Sequence, residues 1–125
     1  MSTTPHRFGI FRHAGESTVH PAGAVIFREG DSGSTMFAIK RGRVAVQLDA
    51  KTIDTMGEGE IFGEIAVLDH GPRSATVMAL EETELVEIDE EHLLFLTRQN
   101  PYFALELMRV LCDRIRQGHA LSRAR

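Results

Sequence analysis

The sequence predicts a mainly β domain with helices at its C-terminal end, an antiparallel sandwich or barrel followed by two helices. Three observations carry that prediction. Between residues 20 and 88 glycine recurs every few positions, as Gly23, Gly30, Gly33, Gly42, Gly57, Gly59, Gly63 and Gly71. The runs between those glycines have strand chemistry, and short strands at such spacing mark all-β sandwiches and barrels. Beyond residue 88 the apolar period changes from that of a strand to that of a helix.

Taken in order, the expected strands are "AVIF", "TMFAIK", "RVAVQL", "KTIDTM", "RSATVMAL" and "ELVEID". In "RVAVQL" the residues Val44, Val46 and Leu48 alternate with polar or small neighbours, which turns one face inward. "EGDSGS" and "LDAK" are turns, because Gly, Asp and Ser supply positive φ angles or local side-chain hydrogen bonds. "EIAVLD" follows three glycines in seven residues and reads as a short helix. "DEEHLLFLTRQN" is a longer one: Asp89 is its N-cap, two acids suit its first turn, and Leu93, Leu94 and Leu96 give it an apolar face. Asn100-Pro101 ends that helix and starts another, since the residue before proline avoids the helical region while proline tolerates a first turn. In the last helix Phe103, Leu107, Val110, Leu111 and Ile115 form one stripe expected to dock on the barrel, and Gly118 interrupts it. The expected organisation is an N-terminal segment over 1–19, a β core over 20–88, and helices with a lid over 89–125.

Composition bounds the function. A chain of 125 residues, 42% hydrophobic and 26% charged, makes one ordinary globular domain. No apolar run is long enough to span a bilayer and no signal-peptide core is visible, so the expected location is the cytoplasm, with no membrane partner. The net charge of −4 argues against nucleic acid as a partner, because phosphate-backbone binding needs many Lys and Arg. The basic residues gather late: from Pro101 onward five arginines face Glu106 and Asp113, which suits a helix C-terminus. Cys112, the one cysteine, makes no internal disulfide and is expected as a small buried hydrophobe. Six scattered histidines lack metal-ligand spacing, so neither a metal nor an enzyme is expected.

The stretch with chemistry in it is "FGEIAVLDHGPRSATV", residues 62–77. Gly63 before a short helix lets a ligand approach the backbone, and the leading N–H groups of a helix have no internal acceptors and attract anions. Arg73, after Gly71-Pro72, enters an apolar strand and needs a partner there, for which a phosphate fits its planar fork. Glu64 only accepts hydrogen bonds, so a sugar hydroxyl suits it. A ribose phosphate gives each charge a complementary group.

This stretch resembles the phosphate-binding cassette of cyclic nucleotide-binding domains, as found in catabolite activator-type regulators, protein kinase A regulatory subunits and cyclic-nucleotide-gated channels. The similarity continues upstream through "HPAGAVIFREGDSGSTMFAIKRGRVAV" and downstream through "ELVEIDEEHLLFLTRQNP". The resemblance implies an eight-stranded antiparallel jelly-roll (a double-stranded β-helix) with a short cassette helix. It implies ligand contacts from Phe62, Gly63, Glu64, Ile65, Ala66, Arg73, Ser74, Ala75 and Val77, with Glu64 on the ribose 2′-hydroxyl, Arg73 on the cyclic phosphate and amides around Gly63, Ile65 and Ala66 capping that phosphate. Gln117 and His119 are the polar residues of a lid over the base.

The expected function is thus a bacterial-type, non-enzymatic sensor for cAMP, or cGMP, signalling by rearrangement of its C-terminal helices. Nothing in the sequence follows the lid helix, so a protein partner in trans is expected to receive the signal. Beyond Gly118 the last helix is expected to fray, to act as a ligand-ordered lid, or to pair with a second subunit as a homodimer. The alternative is a scaffold domain whose cassette no longer binds.

Overall fold

The computed structural model describes residues 16–117. Eight strands come first, β1 (Ser17–His20), β2 (Val25–Phe27), β3 (Met36–Arg41), β4 (Arg43–Leu48), β5 (Lys51–Gly57), β6 (Ile61–Phe62), β7 (Thr76–Ala79) and β8 (Thr83–Ile88). A short helix, α1 (Glu64–Asp69), sits between β6 and β7, and α2 (Glu90–Gln99) and α3 (Pro101–Gln117) follow the strands. The strands form two antiparallel four-stranded sheets in the orders β1-β8-β3-β6 and β2-β7-β4-β5. This is the jelly-roll expected from the sequence. The two strands that the sequence did not disclose are β1, whose pairing with β8 starts the barrel at Ser17, ahead of the expected boundary at 20, and the two-residue β6.

Strand periodicity explains where the core sits. Along β3, Phe37 and Ile39 face the space between the sheets, where they meet Val44, Met56, Phe62, Val77 and Leu85. Met36 and Ala38 face the other way and pack with Val86 and Ile88 of β8 against the helices. Residues 36–39 are therefore all buried, because the sheet is covered on both sides. The β4–β5 hairpin turns on Asp49 and Ala50, both at positive φ, in the tight form that suits the twist of paired strands.

The helices cover the outer face of the first sheet. Asp89 accepts a hydrogen bond from the His92 amide, the N-cap the sequence predicts. Leu93 and Leu96 enter the core with Phe103, Leu107 and Val110, whereas Leu94 is exposed, so the apolar face of α2 is narrower than expected. The stripe on α3 also needs correction. Ile115 is 48% exposed and Cys112 is exposed, because both lie on the side of α3 turned away from the barrel, together with Leu105 and Met108. The helix has two apolar faces where the sequence reading merged them into one. Among the described residues no helix is long and apolar enough to cross a membrane, and no group of His, Cys, Asp or Glu is placed to hold a metal ion.

Candidate functional site

One pocket opens between the second sheet, the cassette around α1 and the end of α3. All nine cassette residues singled out from the sequence, Phe62, Gly63, Glu64, Ile65, Ala66, Arg73, Ser74, Ala75 and Val77, line it. The apolar wall that completes it comes from Phe27, Val46, Leu48, Ile53 and Met56, and Arg114 closes it from α3. Its free volume is about 70 Å³. Gln117 is exposed at the end of α3 and does not line this pocket; His119 lies outside the described residues.

Arg73 is 7% exposed, and its side chain is fixed from several directions. Its guanidinium carbon stands 4.1 Å from the centre of the Phe27 ring, a cation–π contact, with Phe37 behind at 5.8 Å. Phe27, Phe37 and Phe62 form an aromatic cluster beneath it, Phe37 and Phe62 stacked at 5.2 Å. Gly33 lies against the same guanidinium so closely that a Cβ there would fall 2.3 Å from Nε, which is why this turn position carries no side chain. Nη1 donates to the Thr35 carbonyl at 2.6 Å, and Nη2 to the Thr35 hydroxyl at 3.3 Å. Burial pulls the Arg73 pKa down, with Glu87 and Asp31 opposing that shift through their negative charges. The main chain is anchored as well, with Arg73 N–H donating to Asp31 O and Gly30 N–H donating to Arg73 O, both at 2.8 Å. A buried cation held this way, on ring faces and neutral acceptors, keeps its charge available to an anion.

Glu64 is only 2% exposed and begins α1. Gly63 before it takes φ 80°, a left-handed conformation that turns the chain from β6 into the helix. The Glu64 carboxylate does not pair with Arg73. It meets Arg114 Nη1 in an ion pair, and Arg114 Nη2 donates to the Ile61 carbonyl at 2.6 Å. The contact is one of charge without hydrogen-bond alignment: Glu64 Oε1 is buried and accepts no hydrogen bond.

Sequence reasoning found the cassette but missed Arg114. Its signal was present, an arginine on the barrel-facing side of α3 at i+4 from Val110 and i+7 from Leu107. The expectation of an apolar docking face hid it.

Similarity to known proteins identifies the family. Residues 18–100 match the family of cyclic nucleotide-binding domains, and the chain belongs to that family. Among curated proteins it is 36% identical over 105 residues to the cyclic AMP receptor protein of Thermus thermophilus, covering 80% of this chain and 49% of the relative. The crystal structure of the Thermus thermophilus catabolite activator protein superposes with a TM-score of 0.78 at 33% identity, over 87% of this chain and 54% of that one. The cAMP-bound PfPKA-R (141–441) superposes with a TM-score of 0.72 at 29% identity, over 86% and 37%. The chain spans about half the length of that cyclic AMP receptor protein. It is thus a cyclic nucleotide-binding domain homologous to the catabolite activator-type regulators.

Proposed function

We propose that the chain binds cAMP, or the closely related cGMP, in this pocket and passes the event on through α3, without catalysing a reaction. The observation that supports it is the placement, around one pocket, of a buried arginine held on aromatic faces and a buried carboxylate held in an ion pair by α3. In this reading Arg73 takes the cyclic phosphate and the Glu64 carboxylate accepts from the ribose 2′-hydroxyl. Leading amides of α1 add donors to the phosphate. The base lies along Val46, Leu48, Ile53 and Met56, an apolar wall that grips a purine without distinguishing adenine from guanine.

The free volume of about 70 Å³ is below the roughly 300 Å³ at which ligand pockets begin, so a nucleotide must part the lining. Arg114 is the lining group contributed by α3, and its ion pair is with the same carboxylate that receives the ribose. Binding therefore reaches α3 directly, and the helix shifts to the extent that the nucleotide prefers the opened arrangement.

The exposed face of α3 suits a second copy of the chain. Leu105, Met108, Cys112 and Ile115 follow the three-four-three spacing of a coiled-coil seam, on the side opposite Phe103, Leu107 and Val110. Arg109 and Arg116 flank the seam on one side and Leu111 on the other, so a parallel pair avoids arginine facing arginine whereas an antiparallel pair does not.

Thermal-shift measurements with cAMP and cGMP test the binding reading, because a ligand of the native state raises the melting midpoint in proportion to the logarithm of its concentration. A rise with either nucleotide is expected. No rise with either at millimolar concentration overturns the reading and leaves a domain with a non-binding cassette.

A further inference from the structure

The acid behind Arg73 has no role in the contacts described so far. Glu87 lies on β8, in register with Phe37 of β3. The Thr35 hydroxyl donates to Glu87 Oε2 at 2.7 Å while accepting from Arg73 Nη2 at 3.3 Å. One hydroxyl thus bridges the buried guanidinium and an exposed carboxylate, using its single proton outward and a lone pair inward. Among the described residues Glu87 has no cation in direct contact, and the positive charge it faces through Thr35 is that of Arg73. Asp31, the other acid acting on Arg73, has Oδ2 engaged by the Arg28 amide at 3.0 Å.

Among the described residues the charges lining the pocket are Glu64, Arg73 and Arg114. Glu64 and Arg114 cancel as a pair. The phosphate end therefore offers one positive charge, with the Glu87 carboxylate behind it. A cyclic phosphodiester carries one negative charge, and the ring-opened 5′-monophosphate carries close to two above pH 7. Coulomb energy is linear in ligand charge, so a fixed acid behind the arginine opposes the dianion twice as strongly as the monoanion.

We propose that Glu87 is a specificity residue of the nucleotide pocket: held behind Arg73 through the Thr35 hydroxyl, it sets the phosphate end to favour a singly charged cyclic phosphodiester over a doubly charged phosphomonoester. This rests on the nucleotide-binding reading above. It concerns a different discrimination from that between bases, and it assigns the task to a residue that touches the ligand through no atom of its own.

The experiment measures the dissociation constants of cAMP and 5′-AMP at pH 8 for the full chain and for Glu87→Gln, which keeps an oxygen acceptor for Thr35 and removes the charge. Binding of cAMP should tighten roughly two- to fivefold, and that of 5′-AMP by about the square of the same factor, so the preference for the cyclic ligand falls. Both gains should shrink at 1 M salt, since Glu87 is exposed. Glu87→Lys should carry both effects further. Glu82→Gln, which removes an equal charge beside Arg41, should leave the preference unchanged. An equal gain for both ligands, no gain, a preference change as large in Glu82→Gln, or 5′-AMP that still fails to compete with cAMP at millimolar concentration in Glu87→Lys overturns the proposal. If the unsubstituted chain binds neither nucleotide, the binding reading fails with it. If it binds cAMP and the Glu87 variants keep the preference, the Glu87 assignment alone fails.

Discussion

Glu64 at the start of α1 and Arg114 on α3 form an ion pair, although fifty positions separate them in the chain, and both are largely removed from water. Their contact, with the Arg114 hydrogen bond to the Ile61 carbonyl, ties the cassette and β6 to a helix whose inner face packs through Phe103, Leu107 and Val110. Breaking a buried pair by removing one partner costs about 3–5 kcal/mol, because the other charge is left buried, and exposure of Arg114 at the pocket rim places this pair at the lower end. Arg114→Gln should therefore lower the melting midpoint, and Glu64→Gln in the same chain should restore part of the loss. A double-mutant cycle by denaturant unfolding measures the coupling. Additive single effects would mean that the two side chains do not interact.

Arg73→Ala should remove cyclic nucleotide binding by about 3 kcal/mol, roughly a hundredfold, since a desolvated phosphate loses its cation. Isothermal calorimetry reads this directly. Arg73→Lys should recover only part of the affinity, because an ammonium cannot lie flat on Phe27 and reach two acceptors at once. Equal affinity in the alanine variant would reassign the phosphate to another group.

Acid stability should depend on Glu84. The Ser17 hydroxyl donates to its carboxylate, which holds the Glu84 pKa below the usual value, with Lys40 and Arg41 adding to the effect and desolvation opposing it. A carboxylate whose pKa is lower in the folded chain stabilises it above the unfolded pKa, and the contribution is lost as pH falls through the folded value. Glu84→Gln should accordingly destabilise the protein at pH 7 and progressively less as the pH falls below the usual carboxylate range. Urea midpoints measured across that range check the sign, and a loss independent of pH would place the effect in packing.

Met108→Glu tests the outer seam of α3. If two copies pair through Leu105, Met108, Cys112 and Ile115, two carboxylates facing each other in the seam should shift the chain toward monomer in sedimentation equilibrium. Since Met108 is 59% exposed, the monomer should keep its melting midpoint. A monomer before and after the change would leave the seam to another partner.

Much of this site was legible because it is local. Within residues 62–77 the glycine, the short helix and the Gly-Pro before Arg73 place an acid and a base by chain geometry alone, and all nine residues taken from that stretch border one pocket. The groups that hold those charges come from far away in the chain. Thr35 and Phe27 reach Arg73 across nearly forty residues or more, and Arg114 reaches Glu64 across fifty. No periodicity records such meetings. The same limit explains β6, whose two residues are too few to show alternation, and the second face of α3, where Ile115 seemed continuous with the barrel-facing stripe in a one-dimensional reading.

The pairing of β1 with β8 sets an order of events during synthesis. Ser17 lies opposite Val86, so β1 must wait for the last strand, β8, before its edge is covered. At about 5–20 residues per second, the interval is roughly 3–14 s. Through that time the hairpin of β4 and β5 can form locally, whereas the first sheet and the helices packed on it cannot close. The nascent chain thus holds the β4–β5 hairpin before it acquires α3, and the carboxylate of Glu64 stays uncapped until the ribosome has released Arg114.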